Sequence, residues 1–241
     1  MLKITQKTAQ TMKVRCNFPQ KMLRNKNQRR MKMLAKLVDF LLCRFTSFIT
    51  GVRPAKNIAL LSADKPRLYY SNHNSHGDFI LFWVSLPYEV RKKTRPVAGA
   101  DYWTKGKIRR FLAEKVFNML LIEHGGNDPK VVTEQISQVL QENSLIIFPE
   151  GTRKTNDDLA LQPFKSGLYY LAKANPNVDL VPVWISNTHN LLPKGFILPI
   201  PLLCDLYLGE PIHWQPQEDK TQFLVRAEQA LLNLNPKHQG A

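Results

Sequence analysis

Cysteine is scarce in this chain, and the three present, Cys16, Cys43 and Cys204, stand far apart. An odd count without paired spacing argues against a disulfide framework and fits a reducing compartment. No Cys-x-x-Cys occurs, so no zinc ribbon is suggested. Acid is scarce too: 19 Asp and Glu face 34 Lys and Arg, a formal charge of +15. The first 32 residues hold ten Lys and Arg and no acid at all, while the remaining 209 carry 24 basic and 19 acidic residues, a net of +5. Most of the basic excess therefore sits in an N-terminal arm. Such an arm can meet nucleic acid, an anionic membrane or an acidic protein, or simply stay solvated. No apolar run comes early enough to read as a secretory signal, and no internal repeat or low-complexity tract is present.

What the chain does contain begins with a periodic stripe. Leu34, Leu37, Val38, Leu41, Leu42, Phe45, Phe48, Ile49 and Val52 recur at helical spacing. Lys36, Asp39 and Arg44 interrupt the segment, and each would cost roughly 2.5–3.5 kcal/mol near a bilayer centre. Lying in a membrane interface, with the basic arm on lipid headgroups, is the cheaper arrangement. A plain amphipathic helix packed on the core is the alternative. The expected organisation is a basic, mobile arm over 1–32, an amphipathic interfacial helix over 33–52 and one domain over 53–241.

Within that domain short strand-like runs alternate with helical ones. Strands are expected at Leu68–Ser71, Pro96–Ala100, Met119–Ile122, Leu145–Phe148, Val181–Ile185 and Leu206–Ile212. Helices are expected at Phe79–Leu86, Thr104–Asn118, Asp128–Asn143, Phe164–Ala174 and Lys220–Leu234. This alternation predicts a single α/β domain with a largely parallel mixed sheet flanked by helices. The apolar, proline-broken run from Leu191 to Leu208 reads as a pocket wall, a lipid contact or a buried connection. Sites in such folds lie beyond the carboxyl ends of strands, and two motifs directly follow strands.

The first motif is Tyr70-Ser71-Asn72-His73-Asn74-Ser75-His76-Gly77-Asp78. Residues five apart sit about 140° apart around a straight helix, so His73 and Asp78 can meet only across a turn, which Gly77 eases. A carboxylate holding one imidazole nitrogen leaves the other as a base. The same residues also read as a solvent-facing histidine and a helix N-cap. A metal on His73, His76 and Asp78 lacks the Glu-bearing helix of a metalloprotease site. Ser75 lacks the flanking glycines of a nucleophile elbow. The second motif is Phe148-Pro149-Glu150-Gly151-Thr152-Arg153, followed by Phe164-Lys165-Ser166-Gly167. There Gly151 permits a sharp turn, Arg153 offers a planar fork for phosphate, Lys165 adds charge near a helix start, and Glu150 is a candidate acceptor for a hydroxyl.

Together Asn72-His73, four residues, Asp78, then Phe148 to Arg153, then Val181-Pro182-Val183 resemble the glycerolipid acyltransferase family, which includes the 1-acylglycerol-3-phosphate acyltransferases. Phe164 to Gly167 and Gly209-Glu210-Pro211-Ile212 are also similar to family segments, so the resemblance runs from about Asn57 to Ile212. It implies acyl transfer from acyl-CoA or acyl carrier protein to the hydroxyl of a lysolipid, 1-acylglycerol-3-phosphate above all, giving phosphatidic acid. His73 and Asp78 would be catalytic. Glu150, Gly151, Thr152, Arg153 and Lys165 would hold the acceptor, and the Pro182 strand would shape the site. No metal and no cofactor is implied. The basic runs Arg91–Arg95 and Lys105–Arg110 would meet CoA phosphates or an acidic carrier. A membrane surface with anionic lipid is the implied partner, with the protein peripheral or monotopic on a cytoplasmic face and no nucleic acid involved. One position departs from the pattern: His124 stands where the family has arginine, which leaves a lysolipid with another headgroup as a second acceptor. A non-enzymatic basic protein that binds nucleic acid is the alternative from another class, and it leaves both motifs unexplained.

Overall fold

The strand Arg67–Ser71 organises the molecule because it is buried on both faces. A computed structural model describes residues 18–237 apart from 56, 59–60, 76, 124–127, 154–158 and 187–203, with only the backbone for 18–26. The expected arm up to residue 17, His76, His124 and most of the 191–208 run lie outside the described residues.

Successive side chains of a strand point to opposite faces, and β1 (Arg67–Ser71) uses this fully. Tyr69 enters one apolar core, whereas Leu68 and Tyr70 enter the other. β1 pairs in parallel with β4 (Ser144–Ile147) on one side and β5 (Asp179–Ile185) on the other, with Tyr69 opposite Ile146 and Val181. β2 (Thr94–Gly99) runs parallel to β4, and β3 (Leu120–Ile122) runs parallel to β2. Short β6 (Leu206–Leu208) closes the far edge antiparallel to β5, giving the order β3-β2-β4-β1-β5-β6. The largely parallel mixed sheet read from the sequence is therefore present. Its central strands carry near-continuous apolar runs because helices cover both faces.

One face is covered by α1 (Phe18–Thr50), α2 (Asp78–Ser85) and a π-helical turn (Leu112–Val116). The other carries α6 (Pro129–Leu140), α7 (Gly167–Ala174) and α8 (Lys220–Leu232). Their starts follow local chemistry. The Asp128 side chain accepts from the Lys130 N–H with Pro129 in the first turn, and Asp219 and Gln222 form a reciprocal capping box.

Three elements differ from expectation. The helix expected over 104–118 is broken, because Gly106 takes φ +89°, which no helix interior admits. α4 (Ala100–Trp103) precedes the break, and α5 (Lys107–Phe111) with its π turn follows it. The basic run Arg91–Arg95, for which the sequence suggests no helix and a strand only from Pro96 onward, is structured: Arg91 and Lys92 end α3 (Tyr88–Lys92), and Thr94 and Arg95 begin β2. Finally, α1 starts at Phe18 rather than at 33, and its apolar stripe is split in two. Ala35, Val38, Leu42 and Cys43 pack on the domain. Leu34, Leu37, Leu41, Phe45 and Phe48 face outward together with Met33 and Phe40, Phe48 being 87% exposed. A carboxylate on the inner side pins the helix, for Asp39 accepts from the Trp83 indole N–H at 2.8 Å and lies 3.5 Å from Arg91.

Candidate active site

β1 and β4 are neighbours, yet the chain leaves them toward opposite faces, β1 into α2 and β4 toward α7. Their carboxyl ends therefore flank a crevice at a topological switch point. Both sequence motifs open into it.

The β1 side is locked first. Buried Asn72 donates from its amide to the Ile185 carbonyl at 2.9 Å and accepts from the Ile185 N–H at 2.8 Å, bolting the end of β1 to the end of β5. His73 follows. Asp78, wholly buried in the first turn of α2, turns one carboxylate oxygen, Oδ2, back into the loop. That oxygen accepts from the Asn74 N–H at 2.6 Å and the Ser75 N–H at 2.7 Å, and it lies 3.0 Å from His73 Nδ1. A carboxylate can only accept, so the hydrogen sits on Nδ1 and Nε2 keeps its lone pair. Asp78 is thus not a conventional helix cap: it orders the loop and the imidazole through one atom.

The β4 side supplies the second support. The Phe148 ring stacks on the His73 imidazole, with centroids 4.4 Å apart and planes at 27°. Glu150 is 1% exposed. Its Oε1 accepts from the His73 N–H at 2.6 Å and its Oε2 from the Gln162 N–H at 3.0 Å. Burial pushes the Glu150 carboxyl above its ordinary range, and the two backbone hydrogen bonds oppose that rise. The second motif is therefore divided. Phe148 and Glu150 brace the histidine loop and Pro149 is buried between them, whereas Gly151, Thr152 and Arg153 are exposed. Gly151 makes the division possible with φ +74°. The stem of Lys165 crosses directly over it, since a Cβ on Gly151 would lie 3.2 Å from Lys165 Cγ. Thr152 and the Arg153 carbonyl are tied to the Gln162 amide at 3.3 and 3.4 Å. Sequence reasoning brought these residues to one edge but missed the inward roles of Asn72, Phe148, Glu150 and Gln162. Glu150 sits before a glycine at the end of a buried strand, the one local signal of a turn there.

Beyond His73 and Gly151 a cavity of about 500 Å³ runs beneath the carboxyl ends of β2 and β3, walled by Phe79, Val97, Trp103, Met119, Ile136 and Phe148. Its walls are apolar apart from the His73 end and Asp101. Of the basic run Lys105–Arg110, Arg109 comes beside this cavity, its guanidinium 4.3 Å over the ring of Tyr102, a lining residue. Arg91 and Lys92 do not, lying before the amino end of β2 at the opposite edge of the sheet. Pro182 lies on the α8 side of β5: its ring is set against Gly209, with the Gly209 N–H on its carbonyl at 3.0 Å. Any Cβ at position 209 would come within 2.8 Å of that ring, which accounts for this glycine.

A histidine braced by a buried carboxylate beside an apolar cavity is an arrangement many hydrolases and transferases share, and comparison narrows it. Residues 52–186, which contain both motifs and the sheet from β1 to β5, match the family model for acyltransferases. The chain belongs to the acyltransferase family. A 1-acyl-sn-glycerol-3-phosphate acyltransferase of Limnanthes alba is 32% identical over 146 residues, 57% of this chain and 48% of that protein. A chloroplastic 1-acyl-sn-glycerol-3-phosphate acyltransferase of Brassica napus is 27% identical over 155 residues, 61% of this chain and 40% of that protein. This acyltransferase chain thus matches about half or less of those relatives' own lengths. Its fold is shared with the crystal structure of a 1-acyl-sn-glycerophosphate acyltransferase from Thermotoga maritima, with a TM-score of 0.62 at 19% identity over 89% of this chain and 83% of that one.

Proposed function

We propose that this acyltransferase moves a fatty acyl group from acyl-CoA or an acyl carrier protein to the hydroxyl of a lysolipid, with 1-acylglycerol-3-phosphate as acceptor and phosphatidic acid as product. The observation that carries the reading is the His73 ring, held by Asp78 at 3.0 Å and by Phe148 at the mouth of an apolar cavity of about 500 Å³. The names of the matched relatives support the acceptor.

In this mechanism His73 Nε2 takes the proton of the lysolipid hydroxyl as the oxygen attacks the thioester carbonyl carbon. The C–O bond forms, the C–S bond breaks, and the leaving thiolate takes the proton from His73. Asp78 stabilises the imidazolium between those two transfers. No acyl-enzyme forms, and the reading uses neither metal nor cofactor. The exposed group of Gly151, Thr152, Arg153 and Lys165 receives the acceptor's phosphate, with Arg153 as the bidentate partner. Glu150 is too buried for that task and holds His73 instead. The cavity takes an acyl chain. Arg109 beside the cavity and its basic neighbours in sequence suit the phosphates of CoA or an acidic carrier surface.

The acceptor and product of such a reaction live in a bilayer. The outward face of α1, from Met33 to Phe48, supplies the apolar surface for lying in the interface. No described helix is long and apolar enough to cross a membrane. We therefore read the protein as peripheral or monotopic, on a cytoplasmic face, with anionic lipid rather than nucleic acid as its partner surface.

Purified protein is expected to release thiol from the donor only when a lysolipid is present, and faster with lysophosphatidic acid than with lysolipids bearing larger headgroups. Thiol release without any acceptor would overturn direct transfer, and no turnover on lysophosphatidic acid would overturn the named acceptor. Arg153→Ala is expected to raise the acceptor KM with much less effect on kcat, because it removes binding common to ground state and transition state.

A further inference from the structure

A second cavity, of about 310 Å³, lies between α1, α3 and the π turn, beside the amino end of β2 and so at the opposite edge of the sheet from His73. Three separate elements send cations into it. Lys32 and Lys36 come from one face of α1, Arg91 and Lys92 from the end of α3, and Lys115 from the π turn. Asp39 is the sole carboxylate among the lining residues, and it already serves Trp83 and Arg91. Glu89 sits 3.0 Å from Lys92, and Glu114 lies 3.8 Å from Lys115. Even with both counted, two positive charges remain in excess. Among the described residues neither Lys32 nor Lys36 has an ion-pair partner. Like charges converging on a concavity repel unless an anion occupies it.

The anion's source follows from the surroundings. The outward apolar face of α1 begins with Met33, Leu34 and Leu37, which alternate along the same helix with Lys32 and Lys36. A volume near the lower end of ligand pockets holds a phosphate with its glycerol but not acyl chains. Those chains would have to run out along an apolar surface, and the outward face of α1 provides one. We propose that this cavity binds the headgroup of an anionic phospholipid of the host bilayer, at a site separate from the catalytic crevice, so that α1 is held to the membrane at a defined headgroup as well as by its apolar face. The proposal rests on α1 being the bilayer-facing element, and not on the reaction catalysed.

The test is co-sedimentation of the full chain with phosphatidylcholine vesicles, with and without phosphatidylglycerol. It is run in salt high enough to shorten the Debye length below about 8 Å, where diffuse attraction is screened. Anionic vesicles are expected to capture more protein than neutral ones. Lys36→Ala and Lys32→Ala should each reduce that increment about fivefold, because a contact made inside the cavity is screened much less by salt than an exposed one. Arg44→Ala removes the same charge from an exposed position of α1 that does not line the cavity, and should change the increment less than twofold. Equal losses for Arg44→Ala and Lys36→Ala would mean diffuse attraction and would overturn the site. Equal capture by neutral and anionic vesicles would overturn the site while leaving the membrane reading of α1 intact, and capture by neither would overturn both. Millimolar inorganic phosphate, compared with chloride at equal ionic strength, should leave the increment unchanged. Its abolition would assign the cavity to free phosphate and refute the lipid headgroup.

Discussion

Replacing His73 with Ala is expected to lower kcat/KM by about 10²–10⁴-fold, the usual contribution of a positioned general base. Folding should survive. The loop around His73 is held by its backbone, with Asn74 and Ser75 N–H groups on Asp78 and Asn72 bolted to Ile185, and none of these bonds involves the imidazole. The loss of stability should be limited to the ring stacked on Phe148 and its contact with Asp78, with stacking worth about 0.5–1.5 kcal/mol. Steady-state turnover beside a thermal melt of the same preparation checks this. Activity within threefold of the parent, with an unchanged melt, would remove His73 from the mechanism. Asp78→Asn should be nearly as damaging, because an amide can present its N–H₂ to Nδ1 and so favour the tautomer whose Nε2 carries the hydrogen and cannot accept one.

Glu150→Gln is the second large effect, and it separates two roles for one residue. The carboxylate accepts from two backbone N–H groups, those of His73 and Gln162. A glutamine has one oxygen to offer and must turn its N–H₂ toward the other donor. One buried N–H is then left unsatisfied, at about 1–3 kcal/mol of stability, and the His73 backbone is the one held by the shorter bond. A shift of about 1 Å in a reacting group can cost 10²-fold. The expected result is a fall in kcat of about 10–100-fold, with the KM for the lysolipid changed less than threefold. The opposite pattern, a raised acceptor KM with kcat preserved, would place Glu150 on the substrate and refute its role in positioning His73. Thermal loss alone cannot mimic the expected split, since unfolded enzyme lowers kcat only in proportion to the folded fraction, which the melt measures.

The sequence determined a good deal alone. Alternation of buried runs such as Leu145–Ile147 with helical stretches called for a parallel sheet, because only strands covered on both faces are apolar throughout. Asp128-Pro129 announced the start of α6 through capping chemistry local to two residues. The two motifs announced the family through their residues, their order and their spacing, from His73 and Asp78 to Phe148–Arg153. What escaped was the break at Gly106, because a lone glycine inside a helical pattern does not reveal its φ. Also hidden was the split of the α1 stripe, because periodicity reports an apolar face and not what covers it. Leu37 and Val38 are one residue apart, yet Leu37 is exposed and Val38 packs on the core.

The turn from Asn72 to Asp78 shows where the boundary lies. Its residue types and the strand-to-helix change were in the sequence, which allowed both a pairing of His73 with Asp78 and a plain helix cap; the fold shows the pairing. The partners that make this pairing rigid were not. Ile185, Phe148 and Glu150 stand 113, 75 and 77 residues from their partners Asn72, His73 and His73. Only the sheet order β4-β1-β5 brings them to the same loop. Local chemistry thus supplied the residues for which we propose the reaction. Long-range strand pairing decided which of Glu150, Gly151, Thr152 and Arg153 turned inward, because a carboxylate buried beside two unpaired N–H groups is satisfied there, while a guanidinium at the next turn remains in water.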